Sequence, residues 1–475
     1  MSATEVVEPT TVRSSRRWVA LGFLALAQFL VVLDASIVNI ALPVIGDTMH
    51  MDTAALAWVI TAYVLPFGGL LLLGGRLADR YGHRRIFVLG IVGFVLASAF
   101  AGLSLSGGML IAARVLQGAS AAMLAPAALA LLTHLFTQPG ERGRALGVWG
   151  GVAGIGSAAG VLLGGVLTAA LGWQAVFFVN VPFGLAIIVA VPMLITPDEA
   201  AQTKRLDVPG AAAVTGALVA AVGALSAAEQ VGFVHPLPLT LAAAAIILAI
   251  ALVMIERRTT QPLIPLSVFR NRSLTVGNIV MLFVGAAMIA LFFALSIYMQ
   301  QVLGYSALTA GLTQLPLAAA LVVFAGVTPV VIARVGEKSA LIGFLVVLAA
   351  GLIWLAFAPV DAAFLTQILG PTILIGIGIG GAFVTTTQLA VEGVQGGEAG
   401  LAGGLVNTSQ QIGGALGLAV LSTLAATRTS ALTDAGVATP EALTSGFSWL
   451  FIGAAVFALA GAIAAGFAVS RRAER

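Results

Sequence analysis

Asp34 places a carboxyl group inside the first long apolar stretch of the chain, which runs from about Trp18 to Pro43. A charged side chain near the centre of a bilayer costs roughly 2.5 to 3.5 kcal/mol on insertion scales, so an acid there marks a functional site. Asp34 is 16 residues beyond Trp18, which is about 24 Å of helix in a hydrocarbon core about 30 Å thick. We therefore predict that Asp34 binds and releases a proton.

Arg114 is a basic residue inside another apolar stretch, the fourth along the chain. Counted from about Gly108, it lies roughly 9 Å below the outer boundary of the membrane, at a depth comparable to that of Asp34. A nearby Arg114 favours the ionised form of Asp34, whereas separation of the two in an apolar cavity favours the protonated acid. The pair therefore predicts proton binding that is controlled by conformation. A static ion pair that only packs two helices is the alternative.

The composition is that of a membrane protein. The chain has 475 residues, of which 60% are hydrophobic and 9% charged, and its mean hydropathy is +1.09. Uncharged runs of about 18 or more residues recur along it, as in chains that cross a membrane several times. A transmembrane β-barrel would instead show segments of about ten residues with alternating polarity. Because the runs are continuous, the predicted fold class is all-α integral membrane.

A window of roughly 20 apolar residues predicts fourteen transmembrane helices. They lie near residues 18–43, 54–75, 86–105, 108–134, 144–170, 175–195, 208–228, 237–256, 274–301, 308–333, 339–358, 364–390, 399–424 and 446–470. The predicted units are a tail of residues 1–17, a six-helix bundle of 18–196, a two-helix insertion with its linkers of 197–273, a second six-helix bundle of 274–470 and a tail of 471–475.

The positions of Lys and Arg predict the orientation, because basic residues favour loops on the cytoplasmic side. All but two of the 22 Lys and Arg residues fall in loops on one face, the exceptions being Arg428 outside and Arg114 inside the membrane. We expect both termini in the cytoplasm. No basic stripe is interleaved with aromatic residues, which excludes nucleic acid as a partner. Few lysines beside abundant arginine and alanine suggest a GC-rich bacterial genome, and hence the bacterial cytoplasmic (inner) membrane.

Two loops resemble each other. The loop after the second span reads GRLADRYGHRR and the loop after the tenth reads PVVIARVGEKS, which aligns Arg80 with Arg334 and Gly82 with Gly336. Parallel repeats of six-helix halves are typical of transporters whose substrate site lies between the halves, near the membrane midplane. The repeat therefore supports two six-helix bundles plus two extra helices that are central in the sequence.

The first of these loops, residues 75–85, resembles the GxLaDRxGrr signature of the major facilitator superfamily. Gly75 would allow close helix approach, and Gly82 permits a turn with positive φ. Asp79 can pair with neighbouring arginines and with the positive end of a helix. The resemblance implies a conformational gate that latches the outward-facing state, formed by Gly75, Asp79, Arg80, Gly82 and Arg84. An ordinary basic loop is the alternative, but it explains neither Asp79 nor the glycine spacing.

Two segments are similar to the fourteen-span drug/proton antiporter branch of that superfamily, namely LDASIVNIALP at residues 33–43 and GWQAVFFVNVPFG at residues 172–184. A third segment, LIAARVLQG at residues 110–118, resembles the family's fourth-span motif. In the family's version of the last segment the arginine serves proton transfer, a role that the resemblance gives to Arg114. Gln117 is three residues from Arg114 and shares its helix face.

The fifth span carries GSAAGVLLGG, which resembles the exporter motif GxxxGPxxGG. Its glycines are Gly156, Gly160, Gly164 and Gly165, and Val161 stands where the motif has proline. The missing proline removes a kink that relatives have. Small residues at this spacing also allow close helix packing in any membrane bundle, which is the alternative.

Polar residues in other spans predict the lining of a substrate cavity. They are Gln28, Trp58, Thr61, Tyr63, Gln117, Gln314, Gln388, Asn407, Gln410 and Gln411, the last three on one face of the thirteenth span. Interhelical hydrogen bonds are an equally good reading of each.

These features predict a proton-coupled antiporter of the major facilitator superfamily that exports hydrophobic drug-like compounds, neutral or monocationic, by alternating access. It would not be an enzyme and would need no cofactor or metal, since a proton gradient supplies the energy. Its partners are a small hydrophobic substrate, protons and the lipid bilayer, and we expect a monomer. A dedicated exporter of one natural product or lipid, and a non-transporting membrane receptor, are the alternatives.

Overall fold

A computed structural model describes residues 14–196, 207–232, 234–259, 262, 266–392 and 399–467 of the chain. Over these residues the chain is helical and has no strand, which confirms the predicted all-α integral membrane class. The helices are α1 (Ser14–Met49), α2 (Thr53–Tyr81), α3 (His83–Gly102), α4 (Gly107–Leu135), α5 (Pro139–Leu171), α6 (Ala175–Phe178), α7 (Asn180–Leu194), α8 (Val208–Val231), α9 (Pro236–Arg258), α10 (Arg272–Ile297), α11 (Ala307–Val335), α12 (Glu337–Ala356), α13 (Leu369–Glu392), α14 (Ala399–Asp434) and α15 (Thr439–Gly466). Most of both predicted tails and of the linker at 197–207 lies outside the described residues.

Three short segments complete the described secondary structure. Leu266–Arg270 is a 3-10 helix that precedes α10. Tyr298–Val302 continues α10 as a π-helical turn, and Phe364–Ile368 is a π-helical turn that precedes α13. Each therefore extends or leads into a membrane-crossing helix rather than forming a separate unit.

Thirteen segments of the described chain are long and apolar enough to cross a membrane. One of them, Ala175–Leu194, consists of α6 and α7 together. In α5 the apolar part among the described residues is the shorter stretch Ile155–Leu171. The predicted total of fourteen transmembrane helices is reached only if α5 is counted as a further span, and this total stays a prediction.

Polar side chains fix where several helices begin. Asp52, Ser106, Asn271 and Ser306 each accept a hydrogen bond from a backbone N–H in the first turn of the helix that follows, namely α2, α4, α10 and α11. Such caps contribute about 1 kcal/mol each. They set the helix ends and therefore the depth of each buried side chain.

The two bundles repeat the same packing. In the N-terminal half α1 packs on α5, α2 on α4 and α3 on α4, and in the C-terminal half α10 packs on α14, α11 on α13 and α12 on α13. The halves meet where α2 packs on α14 and α5 packs on α11. The α2–α14 and α5–α11 contacts are equivalent to each other if α1–α5 correspond to α10–α14, as the loop repeat predicts.

One end of the bundle carries arginine-rich loops, and we call it the basic face. Arg17 at the start of α1 lies 3.3 Å from Glu141 at the start of α5. Arg84 at the start of α3 donates to the Pro192 carbonyl near the end of α7 at 3.0 Å. Helices α1, α3 and α5 therefore begin on the basic face, and α7 ends there. The other end of the bundle is the opposite face.

Helices α8 and α9 form a hairpin on the outside of the bundle. Helix α8 packs on both α2 and α14, and α9 packs on α8. Trp58 Nε1 of α2 donates to Ser226 Oγ of α8 at 2.9 Å. The hairpin therefore covers one of the two seams between the halves.

Candidate functional site

Five polar side chains meet inside the N-terminal half, and we call them the buried acid site: Asp34, Ser98, Arg114, Gln117 and Asn180. Arg114 Nη1 donates to Asp34 Oδ2 at 2.5 Å. Gln117 Nε2 and Asn180 Nδ2 donate to Asp34 Oδ1, at 2.6 and 2.9 Å. The Asp34 carboxylate therefore accepts three hydrogen bonds, from residues of α4 and α7.

Gln117 and Ser98 connect the members of the buried acid site. Gln117 Oε1 accepts from Arg114 Nη1 at 2.7 Å, and Gln117 Nε2 also donates to Ser98 Oγ at 2.8 Å. Asn180 Nδ2 lies 3.4 Å from the same Ser98 oxygen. The site thus links α1, α3, α4 and α7 in one hydrogen-bond network.

Aromatic rings and a carbonyl hold the Arg114 guanidinium on its other sides. Arg114 Nε donates to the Val59 carbonyl of α2 at 3.1 Å. The guanidinium carbon lies 4.3 Å from the Tyr63 ring centroid and 5.9 Å from that of Phe177. A cation over the face of such a ring is attracted by its quadrupole. The position of Arg114 is therefore set by α2 and α6 as well as by its bond to Asp34 of α1.

The charged pair is sealed from solvent. Asp34 is 0% exposed and Arg114 is 1% exposed. Two buried charges are tolerated only when they are paired and their remaining hydrogen-bonding groups are satisfied. In this conformation the paired side chains are therefore out of contact with solvent.

The sequence predicts three of the five members. Asp34, Arg114 and Gln117 follow from charge, depth and helix face. Ser98 and Asn180 were not predicted as site residues, although both are fully buried. Asn180 lies within the segment 172–184 whose resemblance we noted, and a lone polar residue between apolar ones was the available signal.

The loop between α2 and α3 has the glycine conformation that the sequence predicts. Gly82 has φ +95° and the aligned Gly336, between α11 and α12, has φ +80°. Asp79 Oδ1 lies 3.2 Å from Nε2 of His83, the first residue of α3. An acid beside a helix N-terminus is favoured by the positive end of the helix dipole. The loop thus joins the two helices, and its role as a gate stays a prediction.

Close helix approach before this loop depends on Gly74 rather than on Gly75. A Cβ added at Gly74 would lie 2.0 Å from the Ala122 carbonyl oxygen of α4, whereas one at Gly75 would be 3.7 Å from the nearest atom, on Pro126. The expectation for Gly75 is therefore wrong by one residue, because the two glycines differ by 100° around the helix. Of the arginines in the same loop, Arg80 stacks on the next residue: its guanidinium carbon lies 5.5 Å from the centroid of the Tyr81 ring.

Three glycines of the exporter-like motif pack against α1. A Cβ added at Gly160 would lie 3.0 Å from the Leu33 carbonyl oxygen, and one at Gly164 would lie 2.8 Å from the Ile37 carbonyl oxygen. Gly156 faces α1 one turn earlier. Since Leu33 precedes Asp34, these glycines set the distance between α5 and the stretch of α1 that carries the acid.

The fourth glycine of the motif faces the other half of the molecule. A Cβ added at Gly165 would lie 2.7 Å from the Ala307 carbonyl oxygen of α11, and one at Gly311 would lie 2.7 Å from the Val161 carbonyl oxygen. Helix α5 is continuous through Val161. The motif therefore contacts α1 on one side and α11 on the other.

A second contact between the halves involves the proline of α1. Pro43 has no N–H, so the Asn39 carbonyl lacks its usual donor within the helix. Ser296 Oγ of α10 donates to this carbonyl at 2.5 Å, and Gln300 Nε2 donates to the Ile40 carbonyl at 3.0 Å. We call Asn39, Ile40, Ser296 and Gln300 the opposite-face clamp, because α1 and α10 end there.

The structure does not bring the ten predicted cavity residues into one cavity. Tyr63 and Gln117 are in or against the buried acid site. Trp58 and Thr61 line a crevice between α2, α8 and α14. Gln388 lies with Phe383, Val384 and Thr387 in a separate groove of about 380 Å³ along α13.

The remaining candidates contact different helices. On α14, Gln410 packs against α10 near Gly285, Gln411 packs against α2 at Gly68, and Asn407 is exposed. Each helical position turns by 100°, so residues on one stripe still meet different neighbours. Gln28 and Gln314 each carry a buried Oε1 without a hydrogen-bond partner in the described part of the chain.

Comparisons with known proteins agree on the family. A family model described as Major Facilitator Superfamily matches residues 24–418. Puromycin resistance protein pur8 of Streptomyces alboniger is 41% identical over 435 residues, covering 91% of this chain and 86% of that protein. Cephamycin export protein CmcT of Amycolatopsis lactamdurans is 39% identical over 457 residues, covering 95% and 93%.

A solved structure shares the fold. The crystal structure of an auto inhibited POT family peptide transporter has a TM-score of 0.71 with this chain and covers 97% of it and 98% of itself. The sequence identity is 16%, so the likeness concerns the fold alone.

Proposed function

This chain belongs to the major facilitator superfamily, and we propose that it exports hydrophobic, antibiotic-like compounds in exchange for protons. It is a multi-pass membrane transporter and not an enzyme, which sets aside the receptor alternative. The observation that carries the proposal is the fully buried Asp34 carboxylate paired with Arg114 at 2.5 Å.

We assign proton binding to Asp34 and make Arg114 its charge partner. With the guanidinium in contact, the ionised carboxylate is favoured, and moving the two apart in an apolar surrounding favours the protonated acid. The pair joins α1 to α4, and the exporter-like glycines pack α5 on the same part of α1. A movement of these helices would therefore change the affinity of Asp34 for protons, which is the requirement for coupling.

Alternating access requires that the two halves close on one side of the membrane at a time. We take the basic face as cytoplasmic, as the positive-inside rule predicts. Both termini are then cytoplasmic, and the opposite-face clamp closes the external side between the halves. The conformation described here would receive substrate from the cytoplasm. In the outward-facing state the loop that contains Asp79 would take over as the latch on the basic face.

The charge distribution suggests which substrates suit the transporter. Asp34 and Arg114 are buried charges inside spans, whereas the buried acids Asp207 and Glu256 lie at the ends of α8 and α9. A dication prefers several acids within the membrane part of a site. We therefore propose neutral or monocationic substrates. The names of the relatives, which mention puromycin and cephamycin, support antibiotics or other natural products as the class.

A resistance panel in a bacterial host that lacks its own drug pumps tests this function. The panel contains neutral, monocationic and dicationic compounds, including puromycin. We expect the chain to raise the inhibitory concentration of several neutral or monocationic compounds, and the effect to disappear with a protonophore. Asp434→Asn, which changes an exposed acid at the end of α14, is the control and should behave as the wild type.

The same panel decides between the alternatives. Protection against a single compound would favour a dedicated exporter of one natural product or lipid over a multidrug pump. Strongest protection against dications would contradict the proposed substrate class. Protection that persists in the presence of the protonophore would contradict proton coupling.

A further inference from the structure

The side-chain amide of Asn180 forms hydrogen bonds through its nitrogen but not through its oxygen. Its Nδ2 donates to Asp34 Oδ1 at 2.9 Å and lies 3.4 Å from Ser98 Oγ. Its Oδ1 is buried and has no hydrogen-bond partner among the described residues. Leaving a buried acceptor unsatisfied costs about 1–3 kcal/mol. A polar group kept in this state calls for a functional explanation.

The unbonded Asn180 oxygen matters because the ionised and protonated forms of Asp34 need different hydrogen-bond partners. An ionised carboxylate only accepts hydrogen bonds, whereas a protonated carboxyl group carries an O–H that must donate to an acceptor. The present partners of Asp34 are all donors: Arg114, Gln117 and Asn180. In this arrangement the acid proton would have no acceptor.

The other oxygens of the buried acid site are engaged. Gln117 Oε1 accepts from Arg114 at 2.7 Å, and the Val59 carbonyl accepts from Arg114 at 3.1 Å. Ser98 Oγ accepts from Gln117 at 2.8 Å. Asn180 Oδ1 is the one side-chain oxygen of the buried acid site that accepts no hydrogen bond among the described residues, so it can be offered to Asp34 without weakening an existing bond.

We propose that Asn180 is a positioning residue that adapts to the protonation state of Asp34 by a half-turn of its side-chain amide. With Asp34 ionised, Nδ2 donates to the carboxylate. When a proton from water bonds to a carboxylate oxygen of Asp34, the amide rotates and Oδ1 accepts the new O–H. The proton stays on Asp34 throughout, and Asn180 neither gains nor loses one.

The shape of the amide makes this rotation compatible with tight packing. The oxygen and the NH₂ group of asparagine are nearly equal in size, so a half-turn needs no additional volume. After the rotation Oδ1 also comes near Ser98 Oγ, whose hydroxyl group can then donate to it. Ser98 would thus support either orientation of the amide.

No further titratable group is placed to take over this role. Arg114 of α4 and Tyr63 of α2 are the ones that face Asp34. Helices α6 and α7 carry none. On the other described helices that pack on α1, the titratable residues lie toward the basic face, at positions 76–81, 134, 141–144, 272 and 334.

Infrared difference spectroscopy of the full-length protein in lipid, between high and low pH, tests the proposal, which rests on Asp34 as the proton carrier. The C=O stretching band of the protonated carboxyl group is assigned by its loss in Asp34→Asn. In Asn180→Leu we expect this band at higher frequency, because the acid proton loses its acceptor. Asn180→Gln, which keeps an amide, should return the band toward the wild-type position. Proton-driven transport should fall about tenfold in Asn180→Leu, the equivalent of about one hydrogen bond.

Asn278→Leu is the matched control, because it removes a buried asparagine from α10, in the C-terminal half. It should leave the band in place, and Asn180→Ala replaces Asn180→Leu if the larger side chain prevents folding. A band that stays at the wild-type frequency without the amide would overturn the role of Asn180 and leave Asp34 as proton carrier. Finding no carboxyl band that Asp34→Asn removes would instead overturn the proposed function itself.

Discussion

Arg114 and Asp34 depend on each other because neither can reach water. The guanidinium donates to Asp34, to Gln117 and to the Val59 carbonyl, and it lies over the Tyr63 ring. Removing one member of a buried pair leaves the other charge uncompensated, whereas removing both leaves a neutral cavity. The two residues should therefore behave as one unit in stability as well as in transport.

A double-mutant cycle checks this dependence. Arg114→Met should lower the free energy of unfolding by about 3–5 kcal/mol, since it leaves a buried carboxylate without its counter-charge. Adding Asp34→Asn should restore part of that loss. Thermal unfolding of the purified variants measures both effects, and a double variant as unstable as the sum of the two single changes would show that the residues are not coupled.

For individual residues, the sequence predicts the charge and the depth in the membrane better than it predicts which other residues they contact. The rise per residue places Asp34 and Arg114 at similar depths, and the structure places them in contact. The same reasoning cannot find Ser98 or Asn180, because helix periodicity does not reveal which helices become neighbours. It also grouped Gln410 with Gln411, which contact α10 and α2 respectively.

Among the helices, α1 connects the acid to the seam between the halves. Asp34 lies about one and a half turns before the Asn39 and Ile40 carbonyls, which accept hydrogen bonds from Ser296 and Gln300. Ile40, Val161 and Ala307 form a small apolar cluster beside these bonds. Opening the opposite face therefore breaks hydrogen bonds on the same helix that carries Asp34.

Cysteine labelling checks the clamp, since the chain has no native cysteine. Ala307→Cys puts a thiol at the closed seam, where Ala307 is 7% exposed. Adding Ser296→Ala and Gln300→Leu removes two hydrogen bonds of about 1 kcal/mol each, so maleimide should label the thiol about tenfold faster or more. Ser448→Ala, whose hydroxyl bonds within its own helix, serves as the control. Equal labelling rates with and without the clamp would mean that these bonds do not hold the seam closed.

For the whole molecule, the repeat in the sequence predicts much of the architecture. Gly82 and Gly336 occupy equivalent turns, and the packing of α1–α5 is repeated by α10–α14. The position of the α8–α9 hairpin over the α2–α14 seam was not predictable, because nothing in its apolar composition selects one seam over the other. The Trp58 to Ser226 hydrogen bond that docks it joins residues 168 positions apart.

Proton counterflow in liposomes tests the central claim most directly. The purified chain is reconstituted with a pH-sensitive dye inside, and an outward gradient of a compound that the resistance panel identifies is imposed. The wild type and Asp434→Asn should move protons against the flow of substrate. Asp34→Asn should insert into the membrane and move none, whereas proton counterflow at the wild-type rate in Asp34→Asn would contradict the account.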